Sequence, residues 1–246
     1  MTDTAMIFAA GLGTRLAPLT DDRPKALVEL AGNTMLERTV DKLIRSGIRR
    51  IILNIHHFPE KMRDAINALH YEAVEFIISD ESEELLDTGG GLLKAAEHLK
   101  GEKPFIVHNV DVISDVDLQQ MYENHISQNA LASLAVARRE TTRYFNWHEG
   151  RLCGWKNLKT GDEIKCFLVK GNVESLAFSG IHIINPEIFD LITERGKFSI
   201  NQVYLRLAHE QSIIAYEHDA CYWADIGTME KLAAAEKMLL SHPEKF

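Results

Sequence analysis

Residues 9 to 25 read AAGLGTRLAPLTDDRPK and close a short apolar run, MIFAA. Gly11 and Gly13 allow a tight turn that brings bare backbone N–H groups against phosphate oxygens, a common use of a glycine-rich loop at a strand end. Arg15 and Lys25 add long, mobile positive charges. With Arg23 they outnumber Asp21 and Asp22, so the loop is locally basic in a chain of formal net charge -9. Two commoner glycine loops fit poorly. A dinucleotide fingerprint asks for a third glycine where Leu16 stands, and for an acid closing the second strand where the sequence reads His56-His57. The P-loop pattern G-x-x-x-x-G-K-S/T is absent. The bland alternative, a glycine turn with charged neighbours, explains a bare G-x-G better than it explains this whole constellation.

Two aspartates could complete such a site. Asp111 closes the apolar run PFIVHNVD, and Asp225 closes a second short run in YWADIGT. In a parallel sheet ligands gather beyond the carboxyl ends of the strands, so Asp111 and the 11 to 15 loop are expected at one crevice. Two carboxylates delivered there by separate strands suit magnesium beside a triphosphate, since that ion takes hard oxygen ligands. Each taken alone fits a helix cap or turn equally well, Asp225 before Gly227 especially. Further along, LLDTGGGLLKAAEHL (85 to 99) places three glycines before an amphipathic pattern, where a flat ligand could lie on backbone. Thr88 there is either a helix cap or a ligand contact. In SLAFSGIHIINP, Ser179 and Gly180 interrupt a strand-like run, which marks either close approach of a ligand or a β-bulge. His56 and His57 cannot share one face of a strand, and Trp147, Trp155 and Trp223 suit packing better than base stacking.

The elements that must position these residues are short apolar runs alternating with amphipathic ones. MIFAA, RIILNIHH, VEFIIS, PFIVHNVD and LASLAVA are separated by helix-like segments, the rhythm of a doubly wound, mainly parallel α/β sheet of Rossmann-like type. Thr34 and Glu37 spell a capping box ahead of Leu36, Val40, Leu43 and Ile44, and Gly47 stops that helix. From 141 to 173 the rhythm gives way to polar and aromatic segments that read as inserted hairpins on the substrate side. It then returns, with helices expected from Pro186, around INQVYLRLAHE and from Thr228 to Leu240. One domain over 1–246 is expected.

Charge and composition narrow the class. The acidic balance, with a pI near 5.7, argues against a nucleic-acid partner. Cys153, Cys166 and Cys221 have no paired spacing and read as free thiols. No run approaches the roughly 20 apolar residues of a membrane span, and the N-terminus is unlike a signal peptide. A cytoplasmic protein, monomeric or a small homo-oligomer, is the expectation.

Taken together and in order, GLGTRLAPLTDDRPK, TGGG, NVD, FSGIHIINP and WADIGT resemble the sugar-nucleotide pyrophosphorylases, or nucleotidyl transferases, along nearly the whole chain. The resemblance implies that Ala10, Gly11, Gly13, Thr14 and Arg15 hold the nucleotide together with Thr88, Gly89, Gly90 and Asn109. It further implies that Arg15 and Lys25 stabilise charge at the reacting phosphate, that Ser179 and Gly180 lie near the sugar phosphate, and that Asp111 and Asp225 bind Mg2+. The reaction implied joins a nucleoside triphosphate to a sugar 1-phosphate. Short length, TGGG and FSGI are most similar to members using UTP and N-acetylmuramate 1-phosphate, with GTP and mannose or heptose 1-phosphate as the alternative. Three departures stand out. Val110 replaces the family's glycine before the metal aspartate, which would crowd the ligand. The E-K-P sugar element has no clear counterpart beyond Glu163 and Lys165. There is no room after WADIGT for a β-helix tail, so no acetyltransferase activity is expected. Two other classes compete: a metal-dependent glycosyltransferase using Asp115-Val116-Asp117 as a D-x-D site, although those acids also suit a helix start, and a sugar-nucleotide sensor.

Overall fold

The computed structural model describes residues 1–242; positions 243–246 of the expected domain lie outside the described residues. The first half runs β1 (Thr4–Phe8), β2 (Glu29–Leu30), β3 (Asn33–Thr34), α1 (Met35–Arg45), β4 (Arg50–Ile55), α2 (Pro59–Asn67), β5 (Glu75–Asp80), α3 (Asp87–Lys94), α4 (Ala96–Leu99), β6 (Phe105–Asn109), β7 (Val112–Ser114) and α5 (Leu118–Ser127). The second half runs β8 (Ala132–Ala137), β9 (Arg143–His148), β10 (Arg151–Asn157), β11 (Glu163–Lys165), β12 (Glu174–Ile184), α6 (Ile188–Leu191), α7 (Ile200–Leu207), β13 (Ile213–Glu217), β14 (Trp223–Asp225) and α8 (Met229–Ser241).

Ten strands form one sheet in the order β11-β10-β13-β8-β12-β6-β1-β4-β5, with β9 bridging β10 and β12. β1 is parallel to β4 and β6, and β4 to β5, which is the doubly wound half that the alternation predicts. The sheet as a whole is mixed rather than mainly parallel. β12 enters antiparallel between β6 and β8, and β9, β10 and β11 pair antiparallel as hairpins. The physical reason lies in the connection: β12 follows directly on the hairpin segments and returns along the sheet without the crossover helix that a parallel entry needs.

Strand side chains alternate between two cores, as a sheet covered on both faces requires. Ala5 and Ile7 of β1 pack with α1 and α2, while Met6 packs with Leu92 and Tyr204 on the other face. The capping box forms as the spacing predicts: the Thr34 side chain accepts from Glu37 N while Glu37 bonds back to Thr34. The helix it starts buries Met35, Leu36, Val40 and Leu43. Truncating a fully buried leucine such as Leu43 to alanine removes about 2–5 kcal/mol of stability.

A second, two-stranded sheet matters more for function. β7 pairs antiparallel with β14, with Asp225 opposite Val112, and Ile226 N donates to Asp111 O at 2.7 Å. Two acids far apart in sequence are thereby brought to one edge.

Candidate active site

A crevice of about 470 Å³ opens beyond the carboxyl ends of β1 and β6 and is lined by Ala10, Gly11, Gly13, Thr14, Arg15 and Lys25, among others. A second cavity of about 290 Å³ holds Ser179, Gly180 and Asp225. Asn109 and Asp111 line both, so the two spaces share one wall. The arrangement suits two substrates meeting at Asp111.

Gly13 is left-handed, with φ +67°, and a Cβ there would lie 2.9 Å from Lys25 Cβ. Its glycine therefore serves both the turn and the packing of Lys25 against the loop. The Thr20 hydroxyl donates to Gly13 O at 3.0 Å, locking the turn. Lys25 is only 8% exposed, and its ammonium donates to Asp111 Oδ2. Arg15 reaches across to the turn after β14: a Cβ on Gly227 would lie 3.0 Å from its Nη2 and 3.4 Å from Asp225 Oδ2. Asp225 in turn accepts from Lys231 on α8.

One oxygen of each aspartate is thus held by a lysine, and the second has no partner among the described residues. No group of three or more His, Cys, Asp or Glu suited to a metal occurs among the described residues. Two hard carboxylate oxygens at one edge nevertheless fit magnesium, which ordinarily completes its shell with water and phosphate oxygens.

Gly180 has φ +74°, at a register shift in β12, and a Cβ there would meet Asn109 Nδ2 at 2.6 Å. Both sequence readings therefore meet at this position, an irregular strand and a close approach beside the cavity. Ser179 is wholly buried; its hydroxyl pairs with His218 Nε2 at 2.7 Å and its carbonyl accepts from Trp223 Nε1 at 2.8 Å. Those contacts engage its polar atoms within the wall. Burial holds the His218 imidazole below its usual pKa.

The glycine triplet corrects the sequence reading. Gly89, Gly90 and Gly91 lie inside α3 rather than before it. A Cβ on Gly89 would stand 2.4 Å from the Phe198 ring, and one on Gly90 2.4 Å from Gly196 O. Both backbone N–H groups donate to Phe198 O. The missing side chains let α3 close against the segment before α7, so Gly89 and Gly90 sit behind the crevice wall. Thr88 lines the crevice, caps nothing in α3, and accepts from Ile200 N at 3.1 Å.

The departures resolve locally. Val110 is 4% exposed and packs in the α1 core, and it lines the crevice between Asn109 and Asp111. Glu163 and Lys165 are exposed on β11 and pair loosely with each other. Asp117 caps α5 and Asp115 accepts from Tyr222 N, so neither acid of the D-x-D pattern points to a nucleotide.

Sequence reasoning misses four supports. Glu81, fully buried, accepts from Asn54 Nδ2 and Leu86 N, while Asn54 Oδ1 accepts from Ala9 N at 2.7 Å, fixing the start of the glycine loop. An asparagine inside the apolar run RIILNI is the signal for this relay. Arg139 and Arg143 line the second cavity, and the arginine pair ending the apolar run LASLAVARR is the signal for the first of them.

The family model described as Nucleotidyl transferase matches residues 4–242. This chain belongs to that family. Among relatives of this nucleotidyl transferase, the N-acetylmuramate alpha-1-phosphate uridylyltransferase of Caulobacter vibrioides is 32% identical over 244 residues, covering 96% of each chain. Mannose-1-phosphate guanyltransferase 2 of Candida glabrata is 30% identical over 98% of this chain and 67% of its own length. The UTP-bound UGPase of Acinetobacter baumannii, 20% identical, shares the fold at a TM-score of 0.77 over 99% of this chain and 95% of that one. The chain is a sugar-1-phosphate nucleotidyltransferase. No helix among the described residues is long and apolar enough to cross a membrane.

Proposed function

We propose that this nucleotidyl transferase joins UTP to N-acetylmuramate 1-phosphate and releases pyrophosphate. The observation that carries the reading is the shared wall at Asp111: Lys25 and Arg15 converge there from the glycine loop, and Gly180 and Asp225 from the far side. Gly11, Gly13 and Thr14 present backbone N–H groups to the triphosphate. Asp111 and Asp225 would hold a magnesium ion, which would supply positive charge against the phosphates.

The sugar 1-phosphate, lying beside Gly180, attacks the α-phosphorus in line and pyrophosphate leaves from the opposite side. Arg15 and Lys25 sit where negative charge grows on the α-phosphate oxygens. Fixed cations in a partly enclosed site favour that charge more than mobile water does. No side chain need bond covalently to phosphorus, so positioning and charge carry the rate. The Caulobacter relative, matched over 96% of both chains, supports UTP and the muramate sugar over the guanylyl alternative.

Pyrophosphate release with magnesium tests the reading, across UTP, GTP, CTP, ATP and dTTP paired with N-acetylmuramate, mannose and heptose 1-phosphates. Turnover is expected with UTP and N-acetylmuramate 1-phosphate; a preference for GTP and mannose or heptose 1-phosphate overturns that choice. Silence from folded protein that binds nucleotide favours a sensor or a glycosyltransferase instead.

A further inference from the structure

The sugar-side cavity holds more positive charge than a sugar phosphate alone explains. Its two acids, Asp111 and Asp225, are each bound to a lysine, Lys25 and Lys231. Arg139 and Arg143 line the same space, and neither has a carboxylate partner among the described residues. The neighbouring Arg138 shows that this stretch can supply acids where it needs them: it points elsewhere and is caged by Glu174, Glu217 and Asp219. The absence of a cage around the other two leaves their charge directed at whatever fills the cavity.

The two arginines differ in place. The Arg139 guanidinium lies over the Trp223 ring, 3.8 Å from its centroid, and donates to Phe178 O beside Ser179 and Gly180. Its Nε is buried without a partner, and the Asp225 charge reaches it. It therefore stands next to the metal-binding edge, where the reacting phosphate must lie. Arg143 opens β9, on the hairpin side of the cavity, and its guanidinium is exposed and has no partner among the described residues. A planar guanidinium matches a carboxylate with two parallel hydrogen bonds.

The geometry points to Arg143 as the group that reads a carboxylate carried on the sugar ring, with Arg139 holding the 1-phosphate, so that the cavity selects acidic sugar 1-phosphates over uncharged ones. This assignment rests on the reaction proposed above and supplies its specificity. The aromatic floor made by Phe145, Trp155 and Phe178 offers the apolar face of the ring a surface between the two charges.

The test compares kcat/KM for N-acetylmuramate 1-phosphate with that for N-acetylglucosamine 1-phosphate, which lacks the lactyl ether and its carboxylate, each with UTP and magnesium. Arg143→Gln is expected to lower the ratio by roughly tenfold or more, mainly through KM, while leaving the neutral sugar unchanged. Arg143→Lys should restore part of the ratio. Esterifying the lactyl carboxylate should weaken the wild type as much as Arg143→Gln does, and should have no further effect on that variant. Arg139→Gln should depress both sugars together. An unmoved ratio in Arg143→Gln, or an equal loss on both sugars, overturns the assignment. A wild type that turns over only neutral sugar phosphates overturns it together with the choice of N-acetylmuramate 1-phosphate, while leaving nucleotidyl transfer standing. Silence with every sugar phosphate, from protein that binds UTP, removes the reaction and the assignment together.

Discussion

The two walls of the crevice hold their charges in opposite ways. On the nucleotide wall, Lys25 is buried and bound to Asp111, within a loop fixed by Thr20 and by the Glu81–Asn54 relay. On the sugar wall, Arg139 leans on an aromatic ring and Arg143 stands without a partner among the described residues. On the function proposed above, the first wall is preorganised around a group common to every nucleoside triphosphate. The second leaves free the charges that could tell one sugar from another. Rigidity thus sits where the chemistry is invariant, and unpaired charge where the substrate is variable.

The strongest way to break this contrast is Asp111→Asn. The change keeps the shape but removes one of the oxygens proposed to bind metal and the counter-charge of Lys25. Turnover is expected to fall by about 10²- to 10³-fold for every sugar phosphate accepted, the range seen when one preorganised electrostatic group is lost. Steady-state pyrophosphate release, with a thermal melt to confirm folding, measures it. A loss below tenfold, or one confined to a single sugar, would show that the nucleotide wall is not the common element.

A smaller effect sharpens the contrast from behind the nucleotide wall. Alanine at Gly89 would place its Cβ 2.9 Å from Phe198 O, a backbone atom, as well as against the ring. Overpacking of this kind costs about 1–3 kcal/mol, readable as a lower urea midpoint with an unchanged slope. The KM for UTP should move less than the stability does. Normal stability with a large rise in that KM would return the glycine to direct ligand contact, the role the sequence suggests.

That glycine illustrates what the sequence discloses and what it hides. The nucleotide wall was legible because each of its parts is local: an apolar strand, then glycines and cations within 17 residues of chain, and an acid closing a later strand. The capping box at Thr34 and Glu37 was legible for the same reason. On the sugar wall Ser179, Gly180 and Asp225 stood out in the sequence but their surroundings did not, because β12 runs antiparallel and brings Gly180 against Asn109 by a pairing that periodicity cannot register. Arg139 and Arg143 gain meaning only once β8 and β9 are placed beside β12. Gly89 and Gly90 stand out in the sequence, but the groups they pack against, Phe198 and Gly196, are more than a hundred residues away, so packing glycines resemble ligand glycines. Asp115 and Asp117 mark the reverse case, a motif in the sequence that the structure spends on a turn and a cap.

The smallest expected effect, taken per residue at pH 6, concerns the seam between the walls. His108 on β6 and His182 on β12 lie one register step apart on the adjacent strands of that seam, on opposite faces of the sheet, fully buried, and burial pushes each down to about 3. His182 pairs with the Tyr204 hydroxyl at 2.7 Å, and His108 with Asn109 O at 2.8 Å. Both are neutral in the folded protein at ordinary pH. In the unfolded chain they titrate near about 6.5, so unfolding takes up protons once the pH falls below that value. Stability is therefore complete above about pH 7 and declines through the window from about 6.5 down to 3. At pH 6 the loss is set by the unfolded value alone and amounts to about 0.8 kcal/mol for each histidine. His125, held at about 4 by burial beside Ser133, adds to the same slope. Urea unfolding at pH 7.5, 6 and 5 measures the decline, and His182→Gln should remove close to one proton from the uptake on unfolding. A flat profile between pH 7 and 5 would mean that the seam admits water and charge, and the two walls would then be free to move against each other.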